Sequence, residues 1–404
     1  MPSDFIPYGQ QCLDASDIEA VLEVLNSDWI TQGPKIEAFE AAVSERVDSK
    51  YAVAVSTGTA ALHTACLSAH IGPGDDVVTT PLTFAASANS ARLAGAEVRF
   101  ADIDADTLCI DPGKLESAIT PNTKAIIPVD FAGLPCDMDE INTFAHANDL
   151  LVITDAAHSL GAQYKERSVG SLATMTCFSF HPVKAITTGE GGMVTTDDEH
   201  LYRILKMVRG HGIARSGFDP ELFFQANDES GDVLSPRKQL DPAPWYYEVQ
   251  TLAPNYRITD IQCALGLSQL SKLDQFVTRR AELATRYAQA FSSCDLLQLQ
   301  ELPAGRRSAC HIFVVRLNLN ALAVGRRKIF EYLRAAGIGV QVHYIPVHLH
   351  PYYRNRYGHA RGDFPTAESY YDSALTLPLF PAMTDSDVDR VIDTVLEVVG
   401  QNRR

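Results

Sequence analysis

Lys184 ends the stretch Phe178-Ser179-Phe180-His181-Pro182-Val183-Lys184 and is followed by Thr187-Thr188-Gly189-Glu190-Gly191-Gly192. A strand running into a short loop presents such a lysine at the carboxyl edge of a parallel sheet, where open α/β folds hold their ligands. Most lysines are solvated surface cations, and an ammonium with the usual pKa of about 10.4 is a poor nucleophile. A lysine at that edge can instead condense with an aldehyde, keeping its nitrogen as an imine until another amine arrives.

Asp155 closes the apolar run Leu150-Leu151-Val152-Ile153-Thr154. A carboxylate at the tip of a buried strand needs a partner, and a protonated ring nitrogen is a suitable one. Taken alone, Asp155 reads first as a helix N-cap before Ala156-Ala157-His158; with Lys184 one strand later, the ring nitrogen is the better reading. Ser56-Thr57-Gly58-Thr59-Ala60-Ala61-Leu62 is a strand–turn–helix junction offering hydroxyls and orphan amides to a phosphate, although a plain cap looks the same. Phe84, in Pro81-Leu82-Thr83-Phe84, could stack on a ring, while an isolated aromatic is more often core. Aldehyde, ring nitrogen and phosphate are parts of one cofactor, pyridoxal 5'-phosphate, whose protonated ring takes up the electron pair left on a substrate carbon.

A parallel sheet must stand behind these residues. Between 50 and 200 short β-rich runs alternate with helix-like stretches. Strands are expected at Tyr51–Val55, Val77–Thr80, Val98–Ala101, Ala125–Val129, Leu151–Thr154, Thr176–Phe180 and Gly192–Thr196. Helices are expected at Ala60–Ala69, Ala85–Leu93 and Met138–Asn148. Residues 212–250, rich in Gly, Pro, Asp and Ser, read as a long surface or interface excursion. Ile258–Phe291 then has long helical character. Strand Ile312–Leu317, helix Arg327–Ala336, strand Val340–His343 and helix Ser386–Val399 suggest a smaller α+β domain.

The chain of 404 residues is long enough for two or three domains. Its net charge of -16 and its lack of basic blocks argue against nucleic acid and anionic membranes as partners. A local basic site for an anionic substrate is still compatible with that charge. The eight cysteines are scattered without paired spacing, so neither a disulfide framework nor a metal cluster is expected. Met1 to Gly9 lacks the basic and apolar regions of a signal peptide, and no apolar run of about 20 residues occurs. A cytoplasmic location is the expectation.

In combination the motifs resemble those of the DegT-like sugar aminotransferases. They are Thr31-Gln32-Gly33, the Ser56–Leu62 turn, Asp155-Ala156-Ala157-His158, Ser179-Phe180-His181-x-x-Lys184 and Glu190-Gly191-Gly192. Arg209-Gly210-His211-Gly212 and the run from Asn255 to Gln262 extend the likeness over nearly the whole chain. The resemblance implies an α/β fold of the aspartate aminotransferase type (fold type I), with a large domain on a mostly parallel seven-stranded sheet. It also implies an N-terminal arm (1–30), a large cofactor-binding domain (31–255) and a smaller C-terminal domain (256–404) entered by a long linking helix. The enzyme would be a homodimer with its active site at the subunit interface.

The same resemblance assigns roles. Lys184 would carry the cofactor as a Schiff base and shuttle the proton, Asp155 would hold the pyridinium, and His158 would sit near the cofactor's 3'-oxygen. Thr57, Gly58, Thr59 and Ser179 would hold the phosphate, Phe84 would stack on the ring, and Asn255 would reach the phosphate from the other subunit. Thr31, His343 and Tyr344 would lie near the substrate. Ala20–Ser27, Trp245-Tyr246-Tyr247-Glu248 and Gln341–Val347 are similar to the branch serving pseudaminic acid synthesis. That branch moves an amino group from L-glutamate to C4 of a UDP-linked 4-keto-6-deoxy-2-acetamido hexose. Perosamine, 3-amino-sugar and 4-amino-arabinose enzymes of the family are the nearest alternatives. A desulfurase would need a reactive cysteine in a glycine-rich loop, which no cysteine here has. A non-catalytic regulator would not need Lys184 and Asp155.

Overall fold

The computed structural model describes residues 5–215, 245 and 247–404. Seven strands form the central sheet: β1 (Tyr51–Val55), β2 (Asp76–Thr79), β3 (Glu97–Phe100), β4 (Thr123–Ile127), β5 (Leu151–Asp155), β6 (Met175–Ser179) and β7 (Gly192–Thr196). Their order is β1-β7-β6-β5-β4-β2-β3. Pairings from β3 through β6 are parallel, and β7 alone runs against both its neighbours. The bounds fall within a residue or two of the sequence expectations.

Alternation along the strands explains the layers. Ala52 and Ala54 belong to one buried cluster, whereas Val53 and Val55 belong to another. Both faces are therefore dry, as a parallel sheet covered by helices requires. Because β1, β5 and β6 run the same way, the ends at Val55, Asp155 and Ser179 share one edge. Thr57 caps helix α3 (Gly58–Ser68) at that edge, its Oγ1 accepting the Ala60 amide at 2.9 Å. Helices α1 (Ala15–Leu25) and α2 (Pro34–Arg46) precede the sheet, and α4 (Ala86–Ala94) follows the Phe84 turn.

A second body of structure gathers round the antiparallel strands Leu297–Leu299, Phe313–Leu317 and Ala374–Leu377. Helices Leu273–Phe291, Arg326–Ala335 and Asp385–Gln401 pack on them with a core of their own.

Two expectations change. Ile258–Phe291 is two helices, Asp260–Leu270 and Leu273–Phe291, because the chain turns at Ser271-Lys272, where Lys272 Nζ binds Asp17 and Asp14 of the α1 end. Val340–His343 is not a strand; only single bridges, Ile338 with Ile6 and Gln341 with Thr376, form there. Its backbone is committed to close packing instead, since a Cβ at Gly339 would lie 2.6 Å from the Ile6 carbonyl oxygen. Most of the excursion 212–250, including Tyr246, lies outside the described residues. Its two ends, Ile213–Arg215 and Tyr247–Val249, pair as an antiparallel ribbon. Among the described residues no helix is long and apolar enough to cross a membrane, and all eight cysteines are free thiols.

Candidate active site

Helix α3 and strand β6 meet without room for a side chain between them. A Cβ at Gly58 would sit 2.7 Å from the Ser179 Cβ and 2.9 Å from its Oγ. That approach puts the Ser179 hydroxyl beside the first amides of α3, Gly58 and Thr59, which have no carbonyl partner within the helix. Thr57 uses an oxygen lone pair for the cap and retains its hydroxyl proton. The result is a group of donors at the positive end of a helix, suited to a phosphate.

Asp155 is 5% exposed at the tip of β5. Ser87 Oγ, on α4, donates to its Oδ2 at 2.6 Å, and the Ala157 amide to its Oδ1 at 3.1 Å. Burial outweighs both donors and raises its pKa above the usual carboxylate value. Such a carboxylate is short of a cationic partner, and a protonated ring nitrogen supplies one.

The Lys184 loop is built tightly. The Lys184 amide donates to the His181 carbonyl at 2.9 Å, and Thr187 Oγ1 and the Thr188 amide both donate to the Phe180 carbonyl. Burial drives the Lys184 amine down to about 8; the Arg280 charge adds to that, while Asp155 opposes it. An amine held there is partly unprotonated near neutrality and able to attack a carbonyl.

A buried aromatic cluster lies against the lysine. His158 Nε2 and Tyr344 Oη are 3.1 Å apart, and the His158 ring lies 4.3 Å from that of His311. Burial and the nearby Lys184 charge keep both histidines well below their usual pKa, hence neutral. His158 Nδ1 is buried without a hydrogen-bond partner among the described residues. His343 is bound through Nδ1 to Thr376 Oγ1 at 2.9 Å, and burial holds it at about 4. Burial raises the Tyr344 phenol above its usual value. Phe84 is 61% exposed, with its ring 6.0 Å from Tyr344.

Thus Gly58 meets Ser179, and Lys184, Asp155, His158, His343 and Tyr344 interact with one another. Two expected site residues stand outside this group. Asn255 is exposed, bridged to Gly210, with its Oδ1 accepting the Arg257 amide at 3.3 Å. Thr31 is exposed and bridged to Thr259. Sequence reasoning missed Ser87, His311 and Arg280. Ser87 had a faint signal, a hydroxyl three residues after Phe84. Arg280 had a plain one: it lies on the apolar stripe Phe276, Val277, Leu283, Tyr287 and Phe291 of its helix.

The donor cluster, the buried carboxylate short of a cation, the exposed Phe84 face and the depressed lysine fit a phosphate, a ring nitrogen, an aromatic plane and an aldehyde. Comparison with known proteins agrees. Residues 11–396 match the DegT/DnrJ/EryC1/StrS aminotransferase family, and the chain belongs to that family. It is 41% identical over 396 residues to the spore coat polysaccharide biosynthesis protein SpsC of Bacillus subtilis, covering 98% of this chain and 97% of that one. The structure is similar to Helicobacter pylori PseC, an aminotransferase involved in the biosynthesis of pseudoaminic acid. The TM-score is 0.87 at 30% identity, covering 98% of this chain and 100% of that chain. It is also similar to the PLP-form of Spr1654 from Streptococcus pneumoniae, with TM-score 0.86 at 31% identity, covering 98% and 99% of the two chains. The protein is a pyridoxal-phosphate-dependent sugar aminotransferase with the fold-type-I architecture.

Proposed function

We propose that the enzyme transfers the amino group of L-glutamate to the C4 ketone of a UDP-linked 4-keto-6-deoxy-2-acetamido hexose, with Lys184 as the cofactor-bearing lysine. The observation that carries the chemistry is the nearness of a lysine amine held at about 8 to a buried Asp155 that makes no ion pair among the described residues. The likeness to Helicobacter pylori PseC supports the choice of sugar.

Pyridoxal phosphate, when bound, supplies an aldehyde carbon for amines and a protonated ring that accepts an electron pair. Asp155 keeps that ring nitrogen protonated. Ser87 Oγ and the Ala157 amide hold the carboxylate in place. Gly58, Thr59, Thr57 and Ser179 would receive the phosphate, and Asn255 would reach the phosphate of the partner subunit's cofactor. Phe84 would cover one face of the ring. The neutral His158 would offer its buried Nδ1 to the ring's hydroxyl oxygen. Lys184 Nζ takes the proton from the amino-bearing carbon of glutamate and later delivers one to C4 of the sugar. His343 and Tyr344 border the sugar and exclude water, and Thr31 lies toward the substrate entrance.

The same reading makes the protein a homodimer, with an arm (1–30), a large domain (31–255) and a C-terminal domain (256–404). Ile18, Leu22 and Leu25 form an exposed apolar stripe on α1, continued by Trp29 and Ile30. Such a stripe is suited to a second copy.

The 41% identity with the spore coat polysaccharide protein favours a second reading, amination of a different nucleotide-linked keto-sugar. A panel of UDP-, GDP- and dTDP-linked keto-sugars, each with glutamate, separates the two. The proposal expects the UDP-4-keto-6-deoxy-2-acetamido hexose to give the highest kcat/KM and a product aminated at C4. A preference for another nucleotide or ring position would replace it with the second reading.

A further inference from the structure

Arg280 is 1% exposed in the middle of the helix Leu273–Phe291. Burying a guanidinium costs several kcal/mol unless a carboxylate compensates it, and among the described residues Arg280 pairs with none. Its partners are three backbone carbonyls. Nη1 donates to His311 at 3.0 Å and to Leu379 at 2.8 Å, and Nη2 reaches Val183 at 3.4 Å. Its Nε is buried with no partner among the described residues. Val183 is the residue before Lys184. Leu379 follows the strand Ala374–Leu377 of the C-terminal sheet, and the His311 ring lies against that of His158, tilted by 41°.

A structural role alone would be met at lower cost by a neutral side chain. A cation placed one residue behind the reactive lysine makes chemical sense, because it opposes the protonated ammonium and leaves the free amine untouched. We propose that Arg280 is a positioning residue for Lys184: it clamps the lysine's loop to the C-terminal sheet and sets a fixed positive charge behind the amine. This rests on the reading of Lys184 as the cofactor lysine.

The groups facing Lys184 are Asp155 from β5, the histidines 158, 311 and 343, and Arg280. Cys310, His311 and Lys184 itself are the titratable groups facing Arg280. The histidines are pushed far enough down to stay neutral where the lysine titrates. Asp155 and Arg280 are thus the two charges that act in opposite directions on its proton, Asp155 raising its affinity and Arg280 lowering it.

The test is competitive acetylation of Lys184 in the full chain freed of cofactor, followed by mass spectrometry from neutral to alkaline pH. The wild-type midpoint is expected at about 8. Arg280→Gln should raise it by about one unit. A wild-type midpoint at the ordinary lysine value, or no upward move in Arg280→Gln, overturns the proposal. Should that variant fail to fold, Arg280→Lys decides. It keeps the charge but cannot reach all three carbonyls, so its midpoint should stay near the wild type while hydrogen exchange in 181–187 accelerates. A midpoint that rises as far as expected for Gln, or unchanged exchange, contradicts the proposal. The acetylation needs no bound cofactor, so its outcome is separate from whether Lys184 carries one.

Discussion

The ideal Cβ of Gly58 falls 2.7 Å from the Cβ of Ser179. The helix that opens at Gly58 and the strand that ends at Ser179 therefore meet through the space of a missing side chain. Gly58→Ala must part them and spread the phosphate donors. Overpacking of this kind costs about 1–3 kcal/mol, which at this site corresponds to roughly five- to 150-fold in affinity for pyridoxal phosphate. Titration of the cofactor-free variant should show that loss with the far-ultraviolet circular dichroism unchanged; wild-type affinity would mean the phosphate binds elsewhere.

Much of this junction was legible in the sequence, and the reasons are physical. The turn Ser56–Leu62 carries both a strand ending and a capped helix in one short run, Asp155 ends an apolar strand, and Lys184 sits in the short loop that follows one. Edge position follows from parallel topology, so the residues that share it could be named from strand order alone. Contacts between distant elements were not legible. Ser87 lies 68 residues from Asp155 in the chain, yet donates to it at 2.6 Å. Arg280 reaches Val183 from 97 residues away. The break at Ser271-Lys272 is likewise imposed from outside the helix, by Asp14 and Asp17. At Val340–His343 the β-branched composition pointed to a strand, and close packing on Ile6 overrode it.

Ser87→Ala removes a hydrogen bond that favours the charged form of Asp155. The Asp155 pKa, already raised by burial, should rise further. The carboxylate then appears only at higher pH, so the acid limb of the kcat profile should move to higher pH. A hydrogen bond to a charged group contributes about 1.5–3 kcal/mol, so kcat on the acid side should fall at least roughly ten-fold. Initial rates across pH check this, and an unmoved acid limb would separate Asp155 from the pH dependence.

The apolar stripe of α1 bears on assembly. Replacing Ile18 and Leu22 together by Glu puts two charges on an exposed helix face, so the fold of one chain should be kept. If that face packs against a second copy, the desolvation of two carboxylates should shift a dimer to monomer at micromolar protein. Sedimentation velocity reads the result directly. Retention of a dimer would place the interface on another surface.

The central claim is that Lys184 carries the cofactor. Reduction of the holoenzyme with sodium borohydride makes the lysine–cofactor bond permanent, and peptide mass spectrometry then finds the pyridoxyl group. The account predicts the label on Lys184, at close to one group per chain, and none in Lys184→Ala. A label on another lysine, or none on the wild-type chain, would contradict it.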